Sequence, residues 1–299
     1  MKKVLVFGGF GFLGYYLVKE LIHRNYDVSV ADININDELF SQVRFYKCDI
    51  ANQEEVNKVF KSSNFDIVYN LAGFANLDHA IENPLKTMQL NVIGNIHIIE
   101  ACLANNILKF IYASSAYAVS NKGSFYGISK LASEKIIEEY NKKHNLTFVI
   151  LRYGSVYSER AYNNNYIYNL VKGAVLNGTI NHNGDGKEIR EYIHAADAAK
   201  LSVDVIETDI YNNIHVILTG TERMKRIELF NMIKEILNNN VEVDCNNKGY
   251  NNHYRYTPYS FEPSVSKKLI ANPHIDMGQG LLECIRAVHK NENEKTNLF

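Results

Sequence analysis

The run Val4-Leu5-Val6-Phe7-Gly8-Gly9-Phe10-Gly11-Phe12-Leu13-Gly14 constrains the fold more than any other part of the chain. Its apolar start, Val4–Phe7, reads as a parallel-sheet strand covered on both faces. Leu13, Leu17 and Leu21 recur every four residues and read as a helix. The glycines between them fit both Gly9-x-Gly11-x-x-Gly14 and Gly8-x-x-Gly11-x-x-Gly14. A strand–turn–helix of this kind suits a dinucleotide pyrophosphate. One glycine turns tightly, one lets backbone approach the anion, and one lets helix pack on strand. The helix N-terminus adds amide donors and a partial positive charge. Gly8, Gly11, Phe12, Leu13 and Gly14 are therefore candidate cofactor contacts.

Asp32 extends the pattern. It closes the next strand, Val28–Val30, eighteen residues after Gly14, where about 20 is expected of a carboxylate that binds the adenosine ribose. It would repel a 2′-phosphate, and no Arg or Lys lies between Val30 and Gln42. The expected cofactor is NAD rather than NADP. Further strands are expected at Phe45–Cys48, Ile67–Leu71, Phe110–Ala113 and Phe148–Leu151, with helices at Glu54–Phe60, Leu85–Leu103 and Gly127–Lys143. Alternation of this kind predicts an α/β fold, a doubly wound parallel (Rossmann) sheet with right-handed crossovers. Beyond residue 154 the pattern loosens. Asn163–Asn165 and Asn181–Gly186 read as turns, Ile227–Leu237 and Gly280–His289 as helices, and Asn291–Phe299 as a frayed end. The expected division is a dinucleotide-binding domain over 1–154, with a segment returning to its sheet near 191–219. A smaller α/β substrate domain takes 155–190 and 220–299.

Composition excludes several classes. With 32 Lys plus Arg against 33 Asp plus Glu, the net charge is −1 over 299 residues, which gives no footprint for nucleic acid. No apolar run reaches the ~18–20 residues of a membrane span, so a soluble, cytoplasmic protein is expected. Cys48, Cys102, Cys245 and Cys284 lie far apart without a Cys-x-x-Cys pair. They read as buried free thiols in a reducing compartment, with no metal site.

Tyr126-Gly127-Ile128-Ser129-Lys130 places Tyr126 and Lys130 one helical turn apart on one face. Tyr has a reference pKa near 10, and an ammonium beside it favours the phenolate. A lowering of about three units would make it a general base at neutral pH. Ser114 and Ser115 end the preceding strand, where ligands of parallel sheets bind. A serine there can share a hydrogen bond with a substrate hydroxyl and with Tyr126.

With these features in order, the chain resembles the extended short-chain dehydrogenase/reductase family, and more narrowly its NAD-dependent nucleotide-sugar epimerase/dehydratase branch. The resemblance implies further contacts. Asp49 and Ile50 match the pair beside the adenine. Asn70-Leu71-Ala72-Gly73 matches the segment under the cofactor, with Leu71, Ala72 and Gly73 as contacts. Asn91 matches the helix asparagine near the cofactor. Leu151–Tyr157 matches the strand that carries Tyr153 and the substrate contact Ser155, which stands where the family usually has Asn. Arg190-Glu191-Tyr192-Ile193-His194-Ala195-Ala196-Asp197 resembles the family's Arg-x-Tyr-Ile-His-x-x-Asp, in which the arginine binds the sugar nucleotide's pyrophosphate, a match for a planar guanidinium. His194 reads as structural. Arg255, in a tail segment Arg255–Pro263 expected to line the nucleotide site, is a second phosphate candidate. Within the branch, dehydratases carry Asp-Glu after the catalytic serine, whereas Ser115-Ala116-Tyr117 looks like the 4-epimerases. The resemblance thus implies a 4-epimerase of polysaccharide biosynthesis. Ser115, Tyr126 and Lys130 would be catalytic, and hydride would pass from sugar carbon 4 to NAD and back through a 4-keto intermediate. A 4-ketoreductase or dehydrogenase, a 4,6-dehydratase and a non-catalytic dinucleotide-binding scaffold are the alternatives. A homodimer through the helices Leu85–Leu103 and Gly127–Lys143 is also implied. Two departures mark the site's edge: Val119-Ser120 replaces the usual Val-Tyr-Gly, and only eleven residues lead from Ser115 to Tyr126, about half the epimerase length.

Overall fold

Eight parallel strands form one sheet: β1 Lys3–Phe7, β2 Asp27–Asp32, β3 Arg44–Lys47, β4 Ile67–Asn70, β5 Lys109–Ser115, β6 Phe148–Tyr153, β7 Ile214–Leu218 and β8 Lys267–Leu269. The structure is a computed structural model, and it describes residues 1–120, 122–161, 165–246, 253–256 and 267–296, without the side chains of 37 and 293–296. The spatial order is β8-β7-β6-β5-β4-β1-β2-β3. The strand order reverses between β1 and β4, the switch point at which open α/β sheets bind ligands beyond their carboxyl ends. β1 pairs Val6 with Val30 on one side and with Tyr69 on the other. Val4, Leu5, Val6 and Phe7 are fully buried, as a strand covered on both faces requires.

The helices follow from apolar spacing and capping. α1 spans Phe12–His23 and buries Leu17, Val18 and Leu21. α2, Gln53–Ser62, is capped by Asn52, whose side chain accepts from the Glu54 and Glu55 amides. The helix expected over Leu85–Leu103 is broken into Pro84–Met88, a π-helical turn Gln89–Ile93, and α3 Gly94–Ala104. Such turns cluster at functional sites, and this one carries Asn91. α4 runs Ser124–His144 and buries Gly127, Ser129, Lys130, Ser133, Glu134 and Ile137 along one side.

The chain divides into two compact units. The first holds 1–153, 199–218 and 258–269, with the eight-stranded sheet. Its core joins Leu5, Phe7, Val68, Phe110 and Ile150 of the strands to Val56, Phe60, Ile98, Cys102 and Ile137 of the helices. The second holds 154–198, 219–257 and 270–299. In it Ser155–Tyr157 pairs with Tyr192–His194, Ile189–Arg190 with Met224–Lys225, and Thr179–His182 with Glu242–Cys245. Helices Tyr166–Asn177, Arg226–Ile236 and Met277–Thr296 complete this unit.

Several expectations change. Of the segment expected to return to the sheet near 191–219, only Ile214–Leu218 does so, beside β6. It is the one continuous apolar run there and is almost wholly buried. Tyr192–His194 pairs with Ser155–Tyr157 instead. Lys267–Leu269, placed by the sequence reading in the substrate domain, is the sheet's eighth strand. The end expected to fray from Asn291 is helical through Thr296. Asn163, Asn164 and 257–263 of the expected tail lie outside the described residues. Cys48, Cys102 and Cys284 are buried free thiols, whereas Cys245 is exposed. Burial pushes the Cys48 and Cys284 thiols up to about 12.

The glycine turn is held by backbone contact. A Cβ at Gly14 would lie 2.1 Å from the Gly8 carbonyl oxygen and 2.8 Å from Gly9 backbone. Replacing Gly14→Ala is expected to destabilise the protein by about 2 kcal/mol or more, read as a fall in the urea midpoint. An unchanged midpoint would contradict this packing.

Candidate active site

The glycine turn sits at the carboxyl end of β1. Gly8 has φ +75°, and a Cβ there would come 2.6 Å from the Ala72 amide nitrogen. The turn thus lies directly against the Leu71–Gly73 segment, which is fixed by a hydrogen bond from the Leu71 amide to the Phe7 carbonyl. Gly11 differs from Gly8 and Gly14: the nearest atom its Cβ would meet is the Gly8 oxygen, at 3.3 Å. Gly11 is also the N-cap of α1, and neither a capping side chain nor an acidic residue occupies that first turn. Backbone amides at the helix start are therefore presented outward, where a dinucleotide pyrophosphate would be received.

Asp32 closes β2 beside this turn. Its carboxylate accepts from the Phe10 amide at 3.0 Å and from the Asn34 amide at 3.1 Å. A carboxylate so oriented next to the glycine turn fits a ribose diol. Phe10 stacks on Phe45, with centroids 5.3 Å apart. Asp49 is exposed and turns its carboxylate back to the Ala51 amide. Ile50 is buried against α3, and its carbonyl meets His97 Nδ1 at 2.9 Å. Together the open helix start and the carboxylate beside it fit the pyrophosphate and ribose of NAD.

Asn91 is a strut. Its Oδ1 accepts from the Phe74 amide at 2.6 Å, and its Nδ2 donates to the Phe74 carbonyl and to Ser129 Oγ. Gly73, at φ +150°, leaves room for it, since a Cβ there would lie 2.5 Å from Asn91 Oδ1. The loop 71–74 is thereby tied to α4 one residue before Lys130.

Ser115, Tyr126 and Lys130 lie at the junction of β5 and α4. Ser115 ends β5, and its Oγ accepts from the Tyr117 amide at 3.2 Å. Lys130 Nζ donates to the Ala113 carbonyl at 2.7 Å, which fastens α4 to the end of β5. Its ammonium lies 4.8 Å from the Tyr112 ring centroid and 5.9 Å from that of Tyr126. Burial pushes the Lys130 ammonium down to about 8, against the opposing pull of Glu134. Between that value and the ordinary 10.5 the unfolded chain holds a proton the native chain has released. The contribution of this group to stability therefore rises with pH across that window.

Other expected contacts are committed to the interior. Ser114 Oγ donates to Glu134, which also binds Arg152 through Nε at 3.0 Å and Nη2 at 2.7 Å. All three side chains are buried, so Ser114, expected as a substrate contact, belongs to a structural network. The Tyr153 hydroxyl pairs with Ser202 Oγ at 2.7 Å and is likewise buried. Glu134 escapes the sequence reading. The signal is its place one turn after Lys130 on the buried face, but Arg152, eighteen residues on, completes the meaning.

In the second unit Ser155 is half-buried on its strand. Arg190 is 2% exposed and lies 4.1 Å over the Tyr254 ring. Its Nη1 donates to the Ile189 carbonyl, and its buried Nη2 has no acceptor among the described residues. A buried guanidinium with one idle fork fits an anion such as a diphosphate. Arg255 brings its carbonyl to the Ile189 amide, while its side chain is 60% exposed and 3.5 Å from Asp185. His194 Nε2 faces Glu159 at 3.3 Å and Glu283 at 3.6 Å, and these three are the described group best spaced for a metal ion. The Ala196 amide donates to His194 Nδ1 at 3.3 Å, which leaves Nε2 facing the two carboxylates.

The chain matches the model of the NAD dependent epimerase/dehydratase family over residues 4–216. A protein of Methanocaldococcus jannaschii with the provisional name UDP-glucose 4-epimerase is 28% identical, over 96% of this chain and 99% of its own. A dTDP-D-glucose 4,6-dehydratase of Dictyostelium discoideum is 24% identical, over 80% of this chain and 62% of its own. Among solved structures, a UDP-glucuronic acid 4-epimerase of Bacillus cereus, in complex with UDP-glucuronic acid and NAD, is similar at TM-score 0.84 and 22% identity, over 96% of this chain and 99% of its own.

Gly11 and Gly14 separate two roles. Gly11→Ala is expected to keep the unfolding free energy in urea within about 0.5 kcal/mol and to weaken NAD binding at least tenfold by calorimetry. Undiminished NAD affinity would contradict the placement of the pyrophosphate.

Proposed function

Because the chain belongs to the NAD dependent epimerase/dehydratase family, we propose that it is a nucleotide-sugar 4-epimerase with Ser115, Tyr126 and Lys130 as its catalytic residues. Its cofactor is NAD. Gly8, Gly11, Phe12, Leu13 and Gly14 would hold the pyrophosphate, Asp32 the ribose, and Asp49, Ile50, Leu71, Ala72, Gly73 and Asn91 the remaining walls. Arg190, with Ser155 and Arg255, would hold the nucleotide sugar.

One observation carries the reading over dehydration. Tyr126 and Lys130 share α4, and Lys130 is anchored on Ala113 of the strand that ends in Ser115, while Ala116 and Tyr117 occupy the two positions after Ser115. Eliminating water needs an acid and a base besides the tyrosine, and neither Ala116 nor the backbone of this turn supplies a carboxylate. Proton transfer at one hydroxyl needs only the set already present.

The Tyr126 phenolate takes the proton of the sugar 4-hydroxyl. Ser115 accepts from the Tyr117 amide and so has its own hydroxyl proton to give to the sugar oxygen. Lys130, anchored on the Ala113 carbonyl, stabilises the phenolate by its charge. NAD, when bound, supplies the hydride acceptor and donor. After the 4-keto sugar turns over in the site, Tyr126 returns the proton to the oxygen at carbon 4. The balance of protons is restored within one cycle, as an isomerisation requires.

The same reading extends to assembly and setting. Leu85 is 76% exposed and Ile128 58% exposed, on adjoining helices, with Ile93 and Leu131 also open. An apolar set of that kind supports a homodimer through these helices. Among the described residues no helix is long and apolar enough to cross a membrane. Four unpaired cysteines support a reducing, cytoplasmic setting, and the product would serve polysaccharide biosynthesis.

A panel of sugar nucleotides followed by NMR is expected to give a 4-epimer without net change in NAD. Tyr126→Phe is expected to lower that turnover about 100-fold or more while retaining NAD. Stoichiometric consumption of a reduced cofactor, or undiminished turnover by the variant, would contradict the assignment.

A further inference from the structure

We propose that Tyr117 is a positioning residue of this site: its backbone amide orients Ser115 and its ring seats Tyr126. The role rests on the catalytic reading of Ser115, Tyr126 and Lys130 given above.

Tyr117 touches both partners of the substrate hydroxyl. Its amide donates to Ser115 Oγ at 3.2 Å. Its ring meets that of Tyr126 edge to face, with centroids 6.1 Å apart and planes at 72°. Edge-to-face pairing is directional, so it restricts where the Tyr126 phenol can point.

Two glycines build the seat. Gly123 has φ +100°, and a Cβ there would lie 2.6 Å from Tyr117 Cδ1. Gly127, the residue after Tyr126, would place a Cβ 3.1 Å from the Tyr117 carbonyl oxygen and 2.9 Å from that of Lys122. A side chain at either position would drive Tyr117 off the start of α4. The short connection explains why one residue does both tasks. Ala116–Val119 forms a single 3₁₀ turn capped by Ser115, and the chain enters α4 at Ser124. The turn packs against the helix carrying Tyr126.

A ring that holds the base in line acts on the chemical step more than on substrate affinity, because misplacement of a reacting group is felt mainly in the transition state. The hydroxyl of Tyr117 is not required for this, so phenylalanine is the conservative replacement.

The test compares Tyr117→Ala, Tyr117→Phe, Gly123→Ala and Tyr126→Phe in the NAD-loaded protein, with UDP-glucose or whichever member of the panel turns over. Tyr117→Ala is expected to lower kcat ten- to a hundredfold with KM changed less than about threefold, and Tyr117→Phe to recover most of the rate. With 3-fluorotyrosine placed at position 126, the fluorine resonance is expected to shift in Tyr117→Ala and Gly123→Ala but not in Tyr117→Phe. That readout needs no turnover, and Gly123→Ala covers the case in which Tyr117→Ala fails to fold. Full kcat in Tyr117→Ala beside an inactive Tyr126→Phe, or a fluorine resonance that none of the changes moves, would overturn the role of Tyr117. Full turnover by Tyr126→Phe would instead overturn the catalytic reading beneath it, and that control tells the two failures apart.

Discussion

A buried ammonium organises this site. Lys130 is desolvated at the junction of β5 and α4, and its partner is a main-chain carbonyl, that of Ala113. Taking a charge out of water is costly unless it is hydrogen-bonded, and here the cost appears as a depressed proton affinity. Glu134, one turn along the helix, opposes the loss of charge and is itself neutralised by Arg152. Ser114 completes that pair's hydrogen bonds. Ser114, Glu134 and Arg152 thus form a hydrogen-bonded buried network that ties α4 to β5 and β6.

The second constraint is steric. Gly8 and Gly14 are required by neighbouring backbone, while Gly11 leaves the face of the turn open. The turn, Asp32 and the Leu71–Gly73 segment all lie at carboxyl ends of strands around the switch point between β1 and β4. Asn91, set on a π-helical turn, links that cofactor wall to the helix of Tyr126 and Lys130 through Ser129. The 71–74 segment and α4 are thus joined through the Asn91 side chain.

Much of this is legible in the sequence, for a local reason. The glycine turn, Asp32 and the Tyr-x-x-x-Lys pair each express their requirement within one strand–turn–helix, so spacing reveals them. Roles that depend on distant partners are not legible. Ser114 reads as a substrate contact until Glu134 is seen accepting from it. Tyr153 reads as a cofactor contact until Ser202, forty-nine residues on, is found at its hydroxyl. Tyr117 looks like an unremarked residue in a shortened loop until Gly123 and Gly127 are seen to make room for it. The loose pattern of the second unit reflects strands of two to four residues paired in twos, too short to show a period.

The burial of Lys130 is the claim on which the site's chemistry turns, and its titration tests it most directly. Following the side-chain resonance of Lys130 by NMR against pH, assigned by its loss in Lys130→Arg, the account expects a midpoint near the depressed value of about 8. A midpoint at the ordinary 10.5 would contradict it, since it would mean that burial costs the Lys130 ammonium nothing.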